Sequence, residues 1–286
     1  MSTSTASRIG VIGAGTMGNG IAQVCAQAGL QVRMVDIADA AVQRGLSTVS
    51  KSLDRLVAKD KISAAEKDAI VGRIAGGTDY AALKDCDLVI EAATENLALK
   101  LKILKQLDEL LGEKVVIATN TSSISITQLA AVVRNPGRFI GMHFFNPVPL
   151  MGLVELIRGL QTEDATHDLS HAFVRHIGKT PVTVRNSPGF VVNRILCPMI
   201  NEAIFVLQEG LASAEDIDAG MRLGCNHPIG PLALADMVGL DTMLAVMEVF
   251  YEGFNDPKYR PAPLLKEMVA AGRLGRKNGR GFYSYA

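Results

Sequence analysis

A glycine-rich turn follows the first apolar run of the chain directly, in the stretch RIGVIGAGTMG. Its glycines, Gly13, Gly15 and Gly18, have the spacing G-x-G-x-x-G, which allows a tight turn, close approach of a phosphate and close packing of helix on strand. A helix that begins near Thr16 points its first N–H groups at that phosphate. The stretch therefore predicts a strand–turn–helix unit that binds a dinucleotide, with Thr16 and Met17 as further contacts.

A second apolar run, QVRMVD, ends in Asp36, 21 residues after Gly15. A carboxylate at that place accepts hydrogen bonds from a ribose 2′-hydroxyl and repels a 2′-phosphate. Arg33 lies close by and partly offsets that repulsion. The pattern favours NAD over NADP.

Short Val- and Ile-rich runs alternate with helical patterns from Arg8 to about Asn186, which is typical of a parallel sheet covered by helices. After Asn186 the pattern is helical. We therefore predict an α/β protein with a Rossmann-type domain over residues 1–186 and a smaller all-α domain over 187–286. The predicted strands are 8–12, 31–36, 87–93, 115–120, 139–145, 153–158 and 181–185, and the predicted helices are 16–29, 38–59, 64–74, 97–111 and 164–178, the third with a capping box at Ser63 and Glu66.

Composition excludes several classes of function. Lys plus Arg and Asp plus Glu both number 29, so no overall charge attracts nucleic acid or an anionic membrane. No apolar run reaches the length of a membrane span. The scattered cysteines contain no C-x-x-C pair and favour a reducing cytoplasm, and the polar N-terminus, residues 1–8, predicts a disordered leader and no signal peptide.

One histidine and one glutamate stand twelve residues apart in HFFNPVPLMGLVE. If the chain turns near Pro149 between two antiparallel strands, His143 lies opposite Glu155. A carboxylate behind an imidazole fixes its tautomer and stabilises the imidazolium, which suits a general base. The alternative is a buried pair that only holds the strands together.

Ser122 and Asn193 are two further polar candidates. Ser122 follows a strand whose end lies at the carboxyl edge of the sheet, where folds of this kind bind ligands; its alternative is the N-cap of a following helix. Asn193 has helical spacing from the apolar positions of its segment, so its amide requires a partner in a core network or on a substrate.

Eight segments, in order, resemble the 3-hydroxyacyl-CoA dehydrogenase family, especially its compact short-chain members: GAGTMG, ATENLALK, NTSSISI, GMHFFNPVPLM, LVELI, SPGFVVNRIL, GPLALADMVGLD and GRKNGRGFY. The resemblance runs from Arg8 to Tyr285. It implies that His143 is the base on the 3-hydroxyl, that Glu155 orients it, and that Ser122 and Asn193 hydrogen-bond the reacting oxygen or the thioester carbonyl.

The same resemblance implies positions for the ligands. Contacts with coenzyme A fall on Ser52 and Lys59, and the four-residue spacing of Lys51, Arg55 and Lys59 predicts a basic stripe on one helix, whose usual meaning is a solvated face. Expected contacts with NAD are Glu95, Lys100, Asn120, Asn146 and Lys277.

The sequence thus predicts NAD-dependent, reversible oxidation of an (S)-3-hydroxyacyl-CoA, with 3-hydroxybutyryl-CoA as the expected substrate and no metal. His167 and His171 have metal-ligand spacing on a helix but lack matching ligands. The family resemblance and the apolar C-terminal segments predict a homodimer through the second domain, which we also expect to line the substrate cleft. The alternatives are a dehydrogenase of a free hydroxy acid or sugar acid, and a non-enzymatic nucleotide-binding protein.

Overall fold

The computed structural model describes residues 6–285 of the chain, so most of the predicted leader lies outside the described residues. Its last two residues, Ser7 and Arg8, are not disordered, because their backbone N–H groups donate to the Asp87 carboxylate at 2.8 and 2.9 Å. The chain divides into two compact units, Met1–Asn186 and Ser187–Ala286.

In the first unit the described chain forms one eight-stranded sheet. The strands are β1 (Arg8–Ile12), β2 (Gln31–Val35), β3 (Ile74–Gly77), β4 (Leu88–Glu91), β5 (Val116–Thr119), β6 (Phe139–Phe144), β7 (Leu153–Arg158) and β8 (Thr180–Arg185). Their order is β3-β2-β1-β4-β5-β6-β7-β8. Strands β1 to β6 pair in parallel, β7 runs antiparallel to β6, and β8 is parallel to β7. The first six strands have the order of a dinucleotide-binding fold, which confirms the predicted class.

Helices of the first unit connect these strands. They are α1 (Thr16–Gln27), α2 (Asp39–Val57), α3 (Ala64–Gly72), α4 (Leu97–Leu110), α5 (Ile126–Ala130) and α6 (Asp164–His176). The central strands are buried on both faces, which explains their continuous apolar sequences. The predicted capping box begins α3, where Ser63 and Glu66 exchange hydrogen bonds.

Every predicted strand and helix of this unit is present, with ends shifted by at most two residues. Two short elements, β3 and α5, were not predicted. The sequence of β3, IAGG, has two glycines and no alternation of apolar and polar residues. Helix α5 is a single turn, too short to show a helical period.

The second unit is helical, as predicted. It consists of α7 (Val192–Gln208), α8 (Ala214–Gly224), α9 (Pro231–Val238), α10 (Leu240–Phe254) and α11 (Pro263–Ala270). Its core lies between α7, α10 and α11 and includes Ile200, Ile204, Met247, Phe250 and Leu265. None of the helices in residues 6–285 is both long and apolar enough to cross a membrane.

Two buried aspartates fasten the C-terminal segment onto this unit. Asp236 accepts from the backbone N–H groups of Phe282 and Tyr283 and from the Tyr285 hydroxyl. Asp218 accepts from the Tyr283 hydroxyl at 2.8 Å and from two N–H groups at the start of α9. Burial, followed by the hydrogen bond to Asp218, raises the pKa of Tyr283, so this hydroxyl remains a donor.

Candidate active site

The centre of the candidate site is an imidazole–carboxylate pair between β6 and β7. The antiparallel register sets His143 directly opposite Glu155, as the twelve-residue spacing predicted. Their side chains meet at 2.8 Å, from His143 Nδ1 to Glu155 Oε2. His143 is 4 % exposed and Glu155 is fully buried. Because a carboxylate oxygen accepts, Nδ1 carries the hydrogen and Nε2 is the nitrogen available for acid–base chemistry.

Ser122 lies on the other side of the imidazole. The chain leaves β5 at Thr119, and three residues later Ser122 Oγ stands 3.1 Å from His143 Nε2. The alternative role as a helix cap is wrong, because Ser125 caps α5 by accepting from the N–H of Gln128. Serine, histidine and glutamate thus form a continuous polar chain at the carboxyl edge of the sheet.

The loop that carries Ser122 is tied to the segment between β4 and α4. Oε1 of Glu95 accepts from Thr121 Oγ1 and Ser122 N at 2.8 Å each, and from Ser123 N and Ser123 Oγ at 3.2 Å each. Glu95 was predicted as a nucleotide contact from the family resemblance. That contact stays a prediction; in the structure its carboxylate organises the loop next to His143, a role that the sequence alone did not suggest.

Beneath this edge lies a buried charged network that sequence reasoning missed in part. Lys100 on α4 is fully buried, and its ammonium contacts the Glu91 carboxylate and Thr119 Oγ1. Thr119 in turn donates to Glu91 at 2.7 Å. Burying the two charges together is what makes their burial tolerable. The predicted contact of Lys100 with the nucleotide stays a prediction. Glu91 was not predicted, although a charged residue at the end of an apolar strand is the sequence feature that could have identified it.

Two asparagines lie near the ends of β5 and β6. Asn120 Oδ1 accepts from the backbone N–H of Phe144 at 2.8 Å, which joins the two strand ends. Asn146 is exposed in the loop after β6. Lys179 holds that loop by donating to the carbonyl oxygens of Val148 and Met151 at 2.7 and 2.6 Å.

The lysine and a neighbouring cysteine are buried structural groups. Burial lowers the pKa of Lys179, and the two carbonyl oxygens that it contacts accept from two of its three N–H groups. Burial also raises the pKa of the Cys25 thiol to about 12, so this thiol stays neutral and packs as an apolar group.

The glycine turn has the shape that a dinucleotide requires. Gly13 has φ +98°, and a Cβ atom there would lie 2.6 Å from the carbonyl oxygen of Ala92. A Cβ atom on Gly18 would overlap the carbonyl oxygen of Gly13, so helix and strand approach closely. Helix α1 begins after Gly15, and within the described residues no side chain caps its first turn. Its first N–H groups are therefore suited to a phosphate.

Asp36 closes the same turn from the end of β2. Its Oδ2 accepts from the N–H of Ala14 and its Oδ1 from the N–H of Ile37, both at 2.7 Å. The carboxylate therefore shapes the turn, and its contact with a ribose stays a prediction. A cleft of about 360 Å³ opens beside it, lined by Gly15, Thr16, Asn19, Asp36, Arg44 and Thr48 among others. A dinucleotide fits this combination of a bare helix start, a glycine backbone and an acid at the neighbouring strand end.

The predicted coenzyme A residues lie on and just after α2. The basic stripe was predicted on one helix, but α2 ends at Val57, so Lys59 stands in the following turn and only Lys51 and Arg55 are helical. All three are exposed, and Ser52 is half-buried. The stripe prediction is therefore wrong for its last member, because the helix stops two residues earlier than predicted.

Two predicted residues belong to the second unit. Asn193 lies half-buried in the first turn of α7. Lys277 contacts the Asp241 carboxylate at the start of α10. The hydrogen bond from Lys277 lowers the pKa of Asp241 and keeps this ion pair charged.

His167 does not show a metal site. Its Nε2 lies 2.8 Å from Thr183 Oγ1, and its ring centroid is 5.9 Å from that of His171. Among residues 6–285 no group of three or more His, Cys, Asp or Glu side chains is arranged to hold a metal ion.

Known proteins are similar to this chain over nearly its whole length. The chain is 51 % identical to a 3-hydroxybutyryl-CoA dehydrogenase of Bradyrhizobium diazoefficiens, over 97 % of this chain and 95 % of the relative. It is 49 % identical to a 3-hydroxybutyryl-CoA dehydrogenase of Clostridioides difficile, over 97 % and 99 %. The crystal structure of the (S)-3-hydroxybutyryl-CoA dehydrogenase of Ralstonia eutropha superposes with a TM-score of 0.97 at 68 % identity, covering 99 % of this chain and all of that one.

Two family models together match nearly the whole chain. The model of the 3-hydroxyacyl-CoA dehydrogenase NAD binding domain matches residues 8–187, and that of the 3-hydroxyacyl-CoA dehydrogenase C-terminal domain matches residues 189–285. The chain therefore belongs to the 3-hydroxyacyl-CoA dehydrogenase family, whose cofactor is NAD.

Proposed function

We propose that this NAD-dependent 3-hydroxyacyl-CoA dehydrogenase acts on a short-chain substrate, oxidising (S)-3-hydroxybutyryl-CoA reversibly to acetoacetyl-CoA with His143 as the base. The observation that carries the proposal is the Glu155–His143–Ser122 chain, in which Nε2 faces a serine hydroxyl at the carboxyl edge of the sheet. The names of the relatives from Bradyrhizobium diazoefficiens and Ralstonia eutropha support the substrate class.

His143 moves the proton of the reaction. In oxidation Nε2 takes the proton of the 3-hydroxyl as the carbonyl forms at C3, and in reduction the imidazolium returns it. Bound NAD supplies the hydride acceptor for C3. Glu155 orients the ring through the 2.8 Å contact with Nδ1 and stabilises the imidazolium.

Ser122 hydrogen-bonds the reacting oxygen or the thioester carbonyl. Its hydroxyl already lies within hydrogen-bond distance of Nε2, so an oxygen that meets one group is close to the other. Asn193 is assigned a hydrogen bond to the same substrate oxygens from the family pattern. Replacing either residue by alanine should lower kcat more than it raises KM, because such contacts strengthen in the transition state.

The cofactor contacts follow from the glycine turn. The N–H groups at the start of α1, from Thr16 to Gly18, hold the pyrophosphate, and Asp36 accepts from the ribose. Glu95, Lys100, Asn120, Asn146 and Lys277 remain proposed contacts with the nucleotide.

Coenzyme A is held by Ser52 and Lys59. The exposed basic groups of this segment offer its phosphates local charge on a chain with no net charge.

The second domain forms the contact of a homodimer. Exposed apolar side chains there, such as Ile195, Leu211 and Leu223 at 67 to 84 % exposure, support that assignment. We place the enzyme in the cytoplasm.

One steady-state comparison tests the function. We expect NADH oxidation with acetoacetyl-CoA and none with acetoacetate at the same concentration. Turnover of acetoacetate but not of the thioester would instead identify a dehydrogenase of hydroxy acids. Light scattering at micromolar concentration tests the dimer, and a monomer mass would overturn it.

A further inference from the structure

Glu95 makes an unusual concentration of hydrogen bonds with one oxygen. Its Oε1 accepts from two backbone N–H groups and two hydroxyls, all from the segment Thr121–Ser123. A carboxylate oxygen forms stronger hydrogen bonds than a neutral acceptor. The loop after β4 thereby fixes the loop after β5.

The fixed segment is itself built around one buried threonine. Thr121 is fully buried, and its Oγ1 donates to Glu95 while it accepts from the N–H groups of Ser123 and Ile124 at 3.3 and 3.0 Å. Hence a change at Glu95 removes the acceptor for the Thr121 hydroxyl as well as for two backbone N–H groups.

Ser122 is the residue whose position depends most directly on this arrangement. Its N–H donates to Glu95 at 2.8 Å, and its Oγ lies 3.1 Å from His143 Nε2. The backbone of Ser122 is thus held from one side while its hydroxyl faces the imidazole on the other.

We propose that Glu95 is a positioning residue for the proton-transfer step, because its Oε1 fixes the backbone that presents the Ser122 hydroxyl to His143. The inference rests on the proposed roles of Ser122 and His143. It is separate from the contact with the nucleotide that family resemblance assigns to Glu95, since it concerns Oε1 and the loop Thr121–Ser123.

A double-mutant cycle tests the proposal in the full-length enzyme. Glu95→Ala should lower kcat with acetoacetyl-CoA about 10²-fold, the size expected when a reacting group is misplaced by about 1 Å. In a Ser122→Ala background the same change should lower kcat less than about threefold, because residues that act through one contact are not additive. The Kd of NADH, measured by fluorescence titration, reports the proposed nucleotide contact of Glu95 separately, and kcat is therefore measured at saturating NADH so that weaker cofactor binding does not contribute to its loss. Glu95→Gln keeps an acceptor oxygen and should recover at least about tenfold of the lost kcat.

Glu109→Ala provides the matched control. Glu109 carries an exposed carboxylate on α4, so its replacement removes the same charge at a place away from this loop. It should leave kcat unchanged. Equal losses of kcat from Glu95→Ala in both backgrounds, or a loss confined to NADH binding, would overturn the proposal in favour of a nucleotide contact alone.

Hydrogen–deuterium exchange over residues 120–125 gives a readout independent of turnover. The N–H groups of Ser122 and Ser123 should exchange faster in Glu95→Ala than in the wild type and Glu109→Ala, while the strands keep their protection. Unchanged exchange would contradict the proposal. If the wild type proved inactive on every 3-hydroxyacyl-CoA, the proposed function would fail, but exchange would still decide whether Glu95 holds the loop.

Discussion

Burying an ionisable imidazole inside a sheet is costly unless a partner accepts its hydrogen bond. Glu155 is that partner for His143, and the two side chains approach because the turn between β6 and β7 sets a fixed antiparallel register. A shift of the register by one residue would move one of them to the opposite face of the sheet. The geometry thus depends on the loop length between the strands as much as on the two residues.

Replacing His143 by glutamine should remove most of the turnover and leave NADH binding nearly intact. Glutamine keeps a polar side chain of similar reach but cannot carry the proton, and loss of a positioned base lowers rates about 10² to 10⁴-fold. Steady-state kcat together with an NADH titration checks this. Near-normal kcat would show that another group or water moves the proton.

Glu155→Gln should alter the pH profile as well as the rate. The amide still accepts from Nδ1, but it lacks the negative charge that favours the imidazolium. Reduction needs that imidazolium, so its pH optimum should move to lower pH, and oxidation should slow. The measurement is kcat/KM in both directions from pH 5.5 to 9. An unchanged profile would count against the pairing as the source of proton affinity.

Asp36→Ser should weaken the binding of NADH and reduce the repulsion that disfavours the binding of NADPH. It removes a charge that repels a 2′-phosphate, and also the acceptor for the N–H of Ala14. Hydrogen bonds to a charged group are worth about 1.5–3 kcal/mol, so KM for NADH should rise about tenfold or more. Asp36→Asn is the control, because it keeps an acceptor for the turn while losing the charge. A wild-type preference for NADPH would contradict the assignment.

Sequence alone predicted the residues whose spacing along the chain indicates where they lie in the fold, namely the glycines of the turn, Asp36 and the His143–Glu155 pair. It predicted less about residues held by long-range loop contacts. The carboxylate of Glu95 meets a loop 26 to 28 residues away, and no local period reports that contact. Similarly, the donation from Lys179 to the loop after β6 spans 28 and 31 residues.

At the scale of elements, strands buried on both faces were predictable because continuous apolar runs between glycine and helix signals leave few alternatives. Strand β3 was missed because it lies at the edge of the sheet and contains glycine, so its pairing with β2 and not its composition defines it. The end of α2 was misplaced by two residues because helical propensity does not report where a turn interrupts the chain.

The start of β1 is fastened to the segment before β4 by Asp87. Burial acts to raise the pKa of Asp87, but the N–H groups of Arg8 and Ser7 and the Ser7 hydroxyl outweigh it, and the pKa is lowered. A carboxyl group whose pKa is lowered by folding stabilises the fold above its unfolded pKa, about 3.9, and loses that contribution as the pH falls through the folded value.

Asp87→Asn should therefore lower the free energy of unfolding by about 1 kcal/mol at pH 7, the usual size for such hydrogen bonds. The difference from wild type should shrink below about pH 4 as Asp87 becomes protonated. Urea midpoints at pH 7 and pH 3 check this, with Asp85→Asn, an exposed neighbour, as the control. A difference that grew at low pH would have the wrong sign for this argument.

For the whole molecule, equal numbers of acidic and basic residues leave local charge as the means of attracting an anionic substrate. The exposed bases on and after α2 are the proposed surface of this kind, and Lys59 lies exposed in the turn that follows the helix. A basic face that is only solvated would look the same in the structure. An experiment that distinguishes it from a coenzyme A site must therefore depend on the phosphates of the substrate.

Lys59→Ala should raise KM for acetoacetyl-CoA with little change in kcat, because phosphates remote from C3 are bound equally in the ground and transition states. Added salt should weaken the affinity for acetoacetyl-CoA more in the wild type than in the variant, since exposed charges are screened within about 8–10 Å at ordinary ionic strength. An acetoacetyl-N-acetylcysteamine thioester lacks the phosphates, so both enzymes should use it with similar efficiency. Lys102 is an exposed lysine on α4, so Lys102→Ala controls for the change of net charge. If Lys59→Ala instead impaired both thioesters equally, the basic surface would be structural, and coenzyme A would have to be held by other residues.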